Sequence, residues 1–143
     1  LMDWAALSGV QMNFPSRHHP LRSVNAMRFC CALENDQPAL FQFAAAGFDA
    51  YYTRQLNLDD PEVLVIIANE AGLDGEALRE QSQQQPIKDH LRKNTDEAIS
   101  RGAFGSPAIF VPFGTGERLY FGNDQLPLVE WAIGQAAFMR RER

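Results

Sequence analysis

Two stretches of this 143-residue chain hold residues whose type and order bear on chemistry. The first is Gly102-Ala103-Phe104-Gly105-Ser106-Pro107-Ala108, where a proline directly precedes an apolar strand. With a trans bond, Ser106-Pro107 reads as an ordinary helix-to-strand turn. With a cis bond, the N–H and C=O of Ser106 face outward, and an extended peptide-like ligand pairs with them as an added strand does. The second stretch is Phe121-Gly122-Asn123-Asp124-Gln125-Leu126-Pro127, where a strand passes through glycine into a helix start. Free N–H groups at Asn123, Asp124 and Gln125, together with the positive end of the helix dipole, favour a carboxylate. Asp124 either caps that helix or accepts a hydrogen bond from a ligand ammonium group. A ligand that carries both a carboxylate and an ammonium group uses both features.

The only cysteines, Cys30 and Cys31, are adjacent. On a helix their side chains diverge by about 100° and do not readily bridge, so they are expected as two small packed residues in a reducing compartment. No metal-ligand set is expected.

The elements that position these residues follow from the apolar pattern. Leu1, Trp4 and Leu7, three apart before Gly9, predict the end of an amphipathic helix. That helix has no cap before residue 1, so the expectation is that the chain begins inside a larger fold. Residues 10–15 alternate apolar and polar and predict a half-buried strand ended by Pro15. Helices are predicted over residues 26–33, 38–54, 61–71 and 74–83, the third opened by Asp59-Asp60 before Pro61. Phe41, Phe43, Phe48, Tyr51 and Tyr52 either pack between these helices or line a pocket. The polar run over residues 81–85 reads as a loop edge. A longer helix over 87–101 turns Leu91, Thr95, Ala98 and Ile99 inward and stops at Gly102. Strands over 108–112 and 118–121, joined through Thr115-Gly116, form an antiparallel hairpin. A last helix over 126–140 offers Leu128, Val129, Ala132, Ile133, Ala136 and Ala137 as one stripe for the sheet.

Composition narrows the function classes. With 13 basic and 18 acidic residues the net charge is −5, and the basic residues are scattered except at the tail, so nucleic-acid binding is not expected. No apolar run is long enough to span a bilayer, and the amino end has neither a basic leader nor a signal-like core. At 45% apolar residues the chain can bury one substantial core, and a single domain over residues 1–143 is expected. The order helix, strand, helical block, helix, strand, strand, helix is that of an α/β thioredoxin-like fold. It implies a helical insertion over about residues 22–86, with the first strand and first helix of the fold absent from this chain.

The runs Asn25-Ala26-Met27-Arg28-Phe29, Asn94-Thr95-Asp96-Glu97-Ala98, Arg101-Gly102-Ala103-Phe104-Gly105-Ser106-Pro107 and Phe121-Gly122-Asn123-Asp124 resemble the signatures of one family. This is the 2-hydroxychromene-2-carboxylate isomerase and kappa-class glutathione transferase group of the DsbA-like thioredoxin superfamily. The resemblance implies glutathione as cofactor, with Ser106 and a cis Pro107 at its cysteinyl backbone and Asn123 and Asp124 at its γ-glutamyl end. It further implies glutathione-dependent isomerisation of an aromatic pyruvate-type substrate; transfer of glutathione to an electrophile is adjacent, and a DsbA-like thiol-disulfide oxidoreductase or a non-catalytic binding module are the rivals. The family places Leu or Val before the cis proline and Arg after the Asp, where this chain has Ser106 and Gln125. It also places a thiolate-stabilising serine on its first helix, for which Ser8 and Ser16 lie in the wrong context. No catalytic residue is therefore assigned in this chain, and these 143 residues alone are expected to be inactive. The resemblance implies a cytoplasmic protein acting on a small molecule, without nucleic-acid or membrane partners, and a homodimer.

Overall fold

The computed structural model describes the backbone of residues 2–141 and the side chains of residues 2–137. Its elements are α1 (Met2–Leu7), α2 (Val24–Ala32), α3 (Gln37–Tyr52), α4 (Pro61–Glu70), α5 (Gly75–Gln83), α6 (Gln85–Ser100), β1 (Ala108–Phe113), β2 (Gly116–Phe121), a 3-10 turn (Asn123–Gln125) and α7 (Leu126–Arg141). Two compact units result, Leu1–Arg92 and Lys93–Arg143, and α6 contributes its first half to one and its second half to the other.

The first unit is helical, and local chemistry sets its helix starts. Asp36, Asp60 and Asp74 each precede a helix and accept from the N–H of Ala39 (3.1 Å), Glu62 (3.0 Å) and Ala77 (3.0 Å), satisfying donors that have no partner within the helix. Pro38 and Pro61 sit in the first turns, where no N–H is required. Phe29 and Phe43 stack at 5.4 Å between ring centroids, and with Leu64, Ile67, Ala68 and Leu78 they form the main core. Gly75 lets α5 approach α4 closely, because a Cβ there would lie 2.4 Å from the Val65 carbonyl oxygen.

Several expectations change in this unit. Residues 10–15 are not a strand: no strand runs beside them among the described residues, and their polar groups bond to the end of α3 instead. The Asn13 N–H donates to the Tyr52 carbonyl (2.7 Å), the Asn13 side chain to the Thr53 carbonyl (2.9 Å), and the Gln55 side chain to the Asn13 carbonyl (2.8 Å). In α1 only Ala5 is buried, while Trp4 and Leu7 are exposed; Leu1 lies outside the described residues. The run over 81–85 is helical except at Gln84, whose extended backbone (φ −69°, ψ 143°) separates α5 from α6. It bends there because Pro86 follows Gln85, and Pro is accommodated in a new first turn rather than in a continuing helix.

The second unit is built on the β1–β2 hairpin, antiparallel and in register from Ala108 opposite Phe121 to Phe113 opposite Gly116. Gly114 (φ 62°) and Thr115 form the connection, so the turn lies one residue earlier than Thr115-Gly116. Val111, Val129 and Ala132 are its buried residues, with Ile109, Phe113 and Tyr120 packed around them. The stripe of α7 is narrower than its periodicity implied: Leu128 and Ile133 are half-exposed, because the two-stranded sheet covers only the centre of the helix face. Helix α6 buries nothing fully, against the inward face its periodicity implied; Ile99 and Thr95 are exposed, and Leu91 and Ala98 are half-buried. No described helix is long and apolar enough to cross a membrane.

Candidate functional site

The residues singled out by chemistry gather at the open end of the hairpin. Helix α6 ends where the N–H groups of Gly102 and Ala103 bond back to Ile99 (2.9 Å) and Ala98 (2.9 Å), with Gly102 at φ 89°, a conformation that favours glycine. Arg101, at that helix end, donates to both Glu117 oxygens (3.0 and 2.6 Å) and to Glu97 (3.0 Å), and its guanidinium lies 4.0 Å from the Phe110 ring centroid. This fixes the start of the 102–107 loop against the hairpin. The hydrogen bonds from Arg101 hold the Glu117 carboxyl below its ordinary range.

The loop then passes under Phe121. The Phe104 and Phe121 rings lie 4.6 Å apart, and a Cβ on Gly105 would come 2.8 Å from the Phe121 ring, which would have to shift. The Ser106–Pro107 peptide is cis, as the peptide-docking alternative requires. The Pro107 carbonyl accepts the Gly122 N–H at 3.1 Å, which extends the hairpin one step beyond the Ala108–Phe121 pair and brings the two motifs side by side. Gly122 has φ 103° and ψ 152°, and a Cβ on it would lie 2.4 Å from Asp124 Oδ1.

Beyond Gly122 the chain winds into the 3-10 turn, closed by Gln125 N–H to the Gly122 carbonyl (3.3 Å), and continues into α7. Asn123 thus stands at a helix start. Asp124 does not cap it; its Oδ2 accepts from the Gln125 side chain at 2.9 Å. Ser106, Pro107, Asn123 and Asp124 are all exposed. Among the described residues, the N–H groups of Ser106, Asn123 and Asp124 and the carbonyl of Ser106 have no hydrogen-bond partner. The result is a ledge of exposed residues with unpaired backbone donors and one acceptor beside a carboxylate.

The first unit holds two further features. A cavity of about 310 Å³ is lined by Phe14, His19, Met27, Phe48, Tyr52 and neighbouring residues. Of the aromatic residues considered for a pocket, Phe43 is buried in the core, Tyr51 and Tyr52 line this cavity with Phe48, and Phe41 faces solvent. The second feature is one that sequence order conceals: Cys31, Glu34 and His90 meet, with one donor atom of each within 4.8 Å of the others. The i, i+3 spacing of Cys31 and Glu34 was readable as one helix face, but His90 arrives from α6. Both cysteines are free. Burial and the neighbouring Cys31 push the Cys30 thiol up to about 11, and burial followed by the Glu34 charge raises Cys31.

The chain is similar to known proteins over much of its length. The chain is 28% identical over 132 residues to 2-hydroxychromene-2-carboxylate isomerase of Sphingobium xenophagum, covering 91% of this chain and 63% of that protein. It is 26% identical over 117 residues to human glutathione S-transferase kappa 1, covering 79% and 52%. It is 43% identical over 78 residues to glutathione s-transferase kappa 2 of Caenorhabditis elegans, covering 53% and 28%. The chain therefore spans between about a quarter and two thirds of the length of these relatives. The DSBA-like thioredoxin domain model matches residues 1–134. With that match over most of its length, the chain belongs to the DSBA-like thioredoxin domain family.

Proposed function

We propose that the protein carrying this chain is a glutathione-dependent isomerase of the 2-hydroxychromene-2-carboxylate isomerase type, acting on an aromatic pyruvate-type substrate. The observation that carries this reading is the Pro107–Gly122 hydrogen bond, which sets the unpaired backbone groups of Ser106 beside those of Asn123 and Asp124. Glutathione is an extended tripeptide with a carboxylate and an ammonium group on its γ-glutamyl end, and the residues present fit it. The N–H and C=O of Ser106 pair with its cysteinyl backbone as a neighbouring strand would. The N–H groups of Asn123 and Asp124 receive the γ-glutamyl carboxylate at the start of the 3-10 turn and α7. The Asp124 carboxylate receives the ammonium group. The absence of a side chain at Gly122 keeps the cradle open.

When bound, glutathione supplies a thiolate that adds to a conjugated substrate and is expelled again after rotation about the intervening bond. The contribution of this chain is to hold and orient the tripeptide, which places its sulfur reproducibly. Because the contacts at Ser106 are made by backbone, Ser in place of the family's Leu or Val preserves them. Transfer of glutathione to an electrophile uses the same docking residues, and the similarity to kappa-class transferases supports that adjacent activity.

Calorimetric titration of the protein with glutathione tests the reading. One site per chain is expected, with S-methylglutathione competing for it; absence of binding at millimolar concentration overturns it. Assays with an aromatic cis-enone pyruvate and with an electrophilic aryl halide then separate isomerase from transferase.

A further inference from the structure

We propose that Cys31, Glu34 and His90 form a mononuclear binding site for a divalent cation of the zinc class, distinct from the glutathione ledge. Cys31 lies in the last turn of α2, and Glu34 follows the Leu33 cap, where the Leu33 N–H bonds to the Phe29 (3.2 Å) and Cys30 (3.1 Å) carbonyls. The chain is still helically wound there, so residues 31 and 34 share a face. His90 is in the second turn of α6, and its Nε2 contacts Glu34 Oε2. All three residues belong to the same compact unit.

The donor set argues for the cation. A sulfur, an imidazole nitrogen and a carboxylate oxygen, mutually within 4.8 Å, are three different ligand types in one cluster. Around a tetrahedral zinc ion such donors stand roughly 3.3–3.6 Å apart, given metal–ligand bonds of about 2.0–2.3 Å. The three donors already lie within 4.8 Å of one another, and side-chain rotation that separates His90 Nε2 from Glu34 Oε2, now in direct contact, would admit the ion between them. Thiolate with imidazole selects zinc, cobalt or cadmium over magnesium or calcium, which take oxygen ligands. Thiolate and carboxylate together balance a divalent charge, and three protein ligands leave a fourth position for water or an exogenous ligand. Cys31 and His90 are half-buried and Glu34 is exposed, so the site is reachable by a cation in solution. This arrangement differs from an acidic surface cluster, in which every donor is a carboxylate.

Cobalt(II) titration of the protein in the absence of glutathione tests the assignment. One equivalent should give an intense near-ultraviolet sulfur-to-cobalt charge-transfer band with visible bands typical of four-coordination, and a dissociation constant of about 1 μM or tighter. Cys31→Ser should abolish the charge-transfer band, His90→Ala should weaken binding by at least about tenfold, and Cys30→Ser should leave both unchanged. Zinc should raise the thermal midpoint of the unmodified protein and not that of His90→Ala. A band that survives Cys31→Ser, or no band at stoichiometric cobalt, overturns the site.

Discussion

The carbonyl of Pro107 accepts a hydrogen bond from the N–H of Gly122 at 3.1 Å, joining the residue after the cis peptide to the residue before the 3-10 turn. One backbone contact thus couples two motifs that are separated by a whole hairpin in sequence. It also accounts for the demands on Gly122, which must keep φ at 103° while its N–H points at Pro107.

Replacing Gly122 by Ala should therefore harm both the turn and the ledge. The new Cβ meets Asp124 Oδ1, and a positive φ is disfavoured for any residue with a side chain. A stability loss of about 1–2 kcal/mol is expected in urea denaturation, with glutathione affinity in calorimetry falling by at least about tenfold. Unchanged affinity would remove Gly122 from the docking cradle.

Asp124→Asn separates charge from shape. Losing the carboxylate should weaken glutathione binding by roughly tenfold, about 1.4 kcal/mol, whereas an analogue lacking the γ-glutamyl ammonium should bind both forms alike. An equal loss for the two ligands would show that Asp124 acts on the turn and not on the ammonium group.

Phe29→Ala probes the core that supports α2. Phe29 is 1% exposed and stacked on Phe43, so its removal leaves a cavity and a lost ring contact. A destabilisation of about 3–5 kcal/mol is expected from chemical denaturation. Little change would mean that α2 and α3 repack without it.

Acid should weaken the second unit through Glu117. Arg101 holds the folded carboxyl below 4.5, so the unfolded chain binds a proton first as the pH falls. The stability contributed by this pair is present above about pH 4.5 and is lost as the pH drops through the lower folded value. Urea midpoints followed from pH 6 to 3 should fall less steeply for Glu117→Gln than for the unmodified protein; parallel slopes would assign the acid sensitivity elsewhere.

The sequence by itself determined the features that depend on a few neighbouring residues. Asp36, Asp60 and Asp74 before their helices, Pro38 and Pro61 in first turns, Gly102 after α6 and the short apolar run of β1 all act within one turn or one strand, and each stands where local chemistry puts it. The ledge residues were legible for the same reason, since a proline before a strand and a glycine before a helix start are local signals. Burial was not, because it depends on what covers a face: period-two residues 10–15 pair with no strand, and Leu128 and Ile133 extend past a sheet of two strands. Only the tertiary structure decided that Pro107 meets Gly122 and that His90 meets Cys31 and Glu34. Those meetings are made by chain reversals and helix packing that no local spacing encodes.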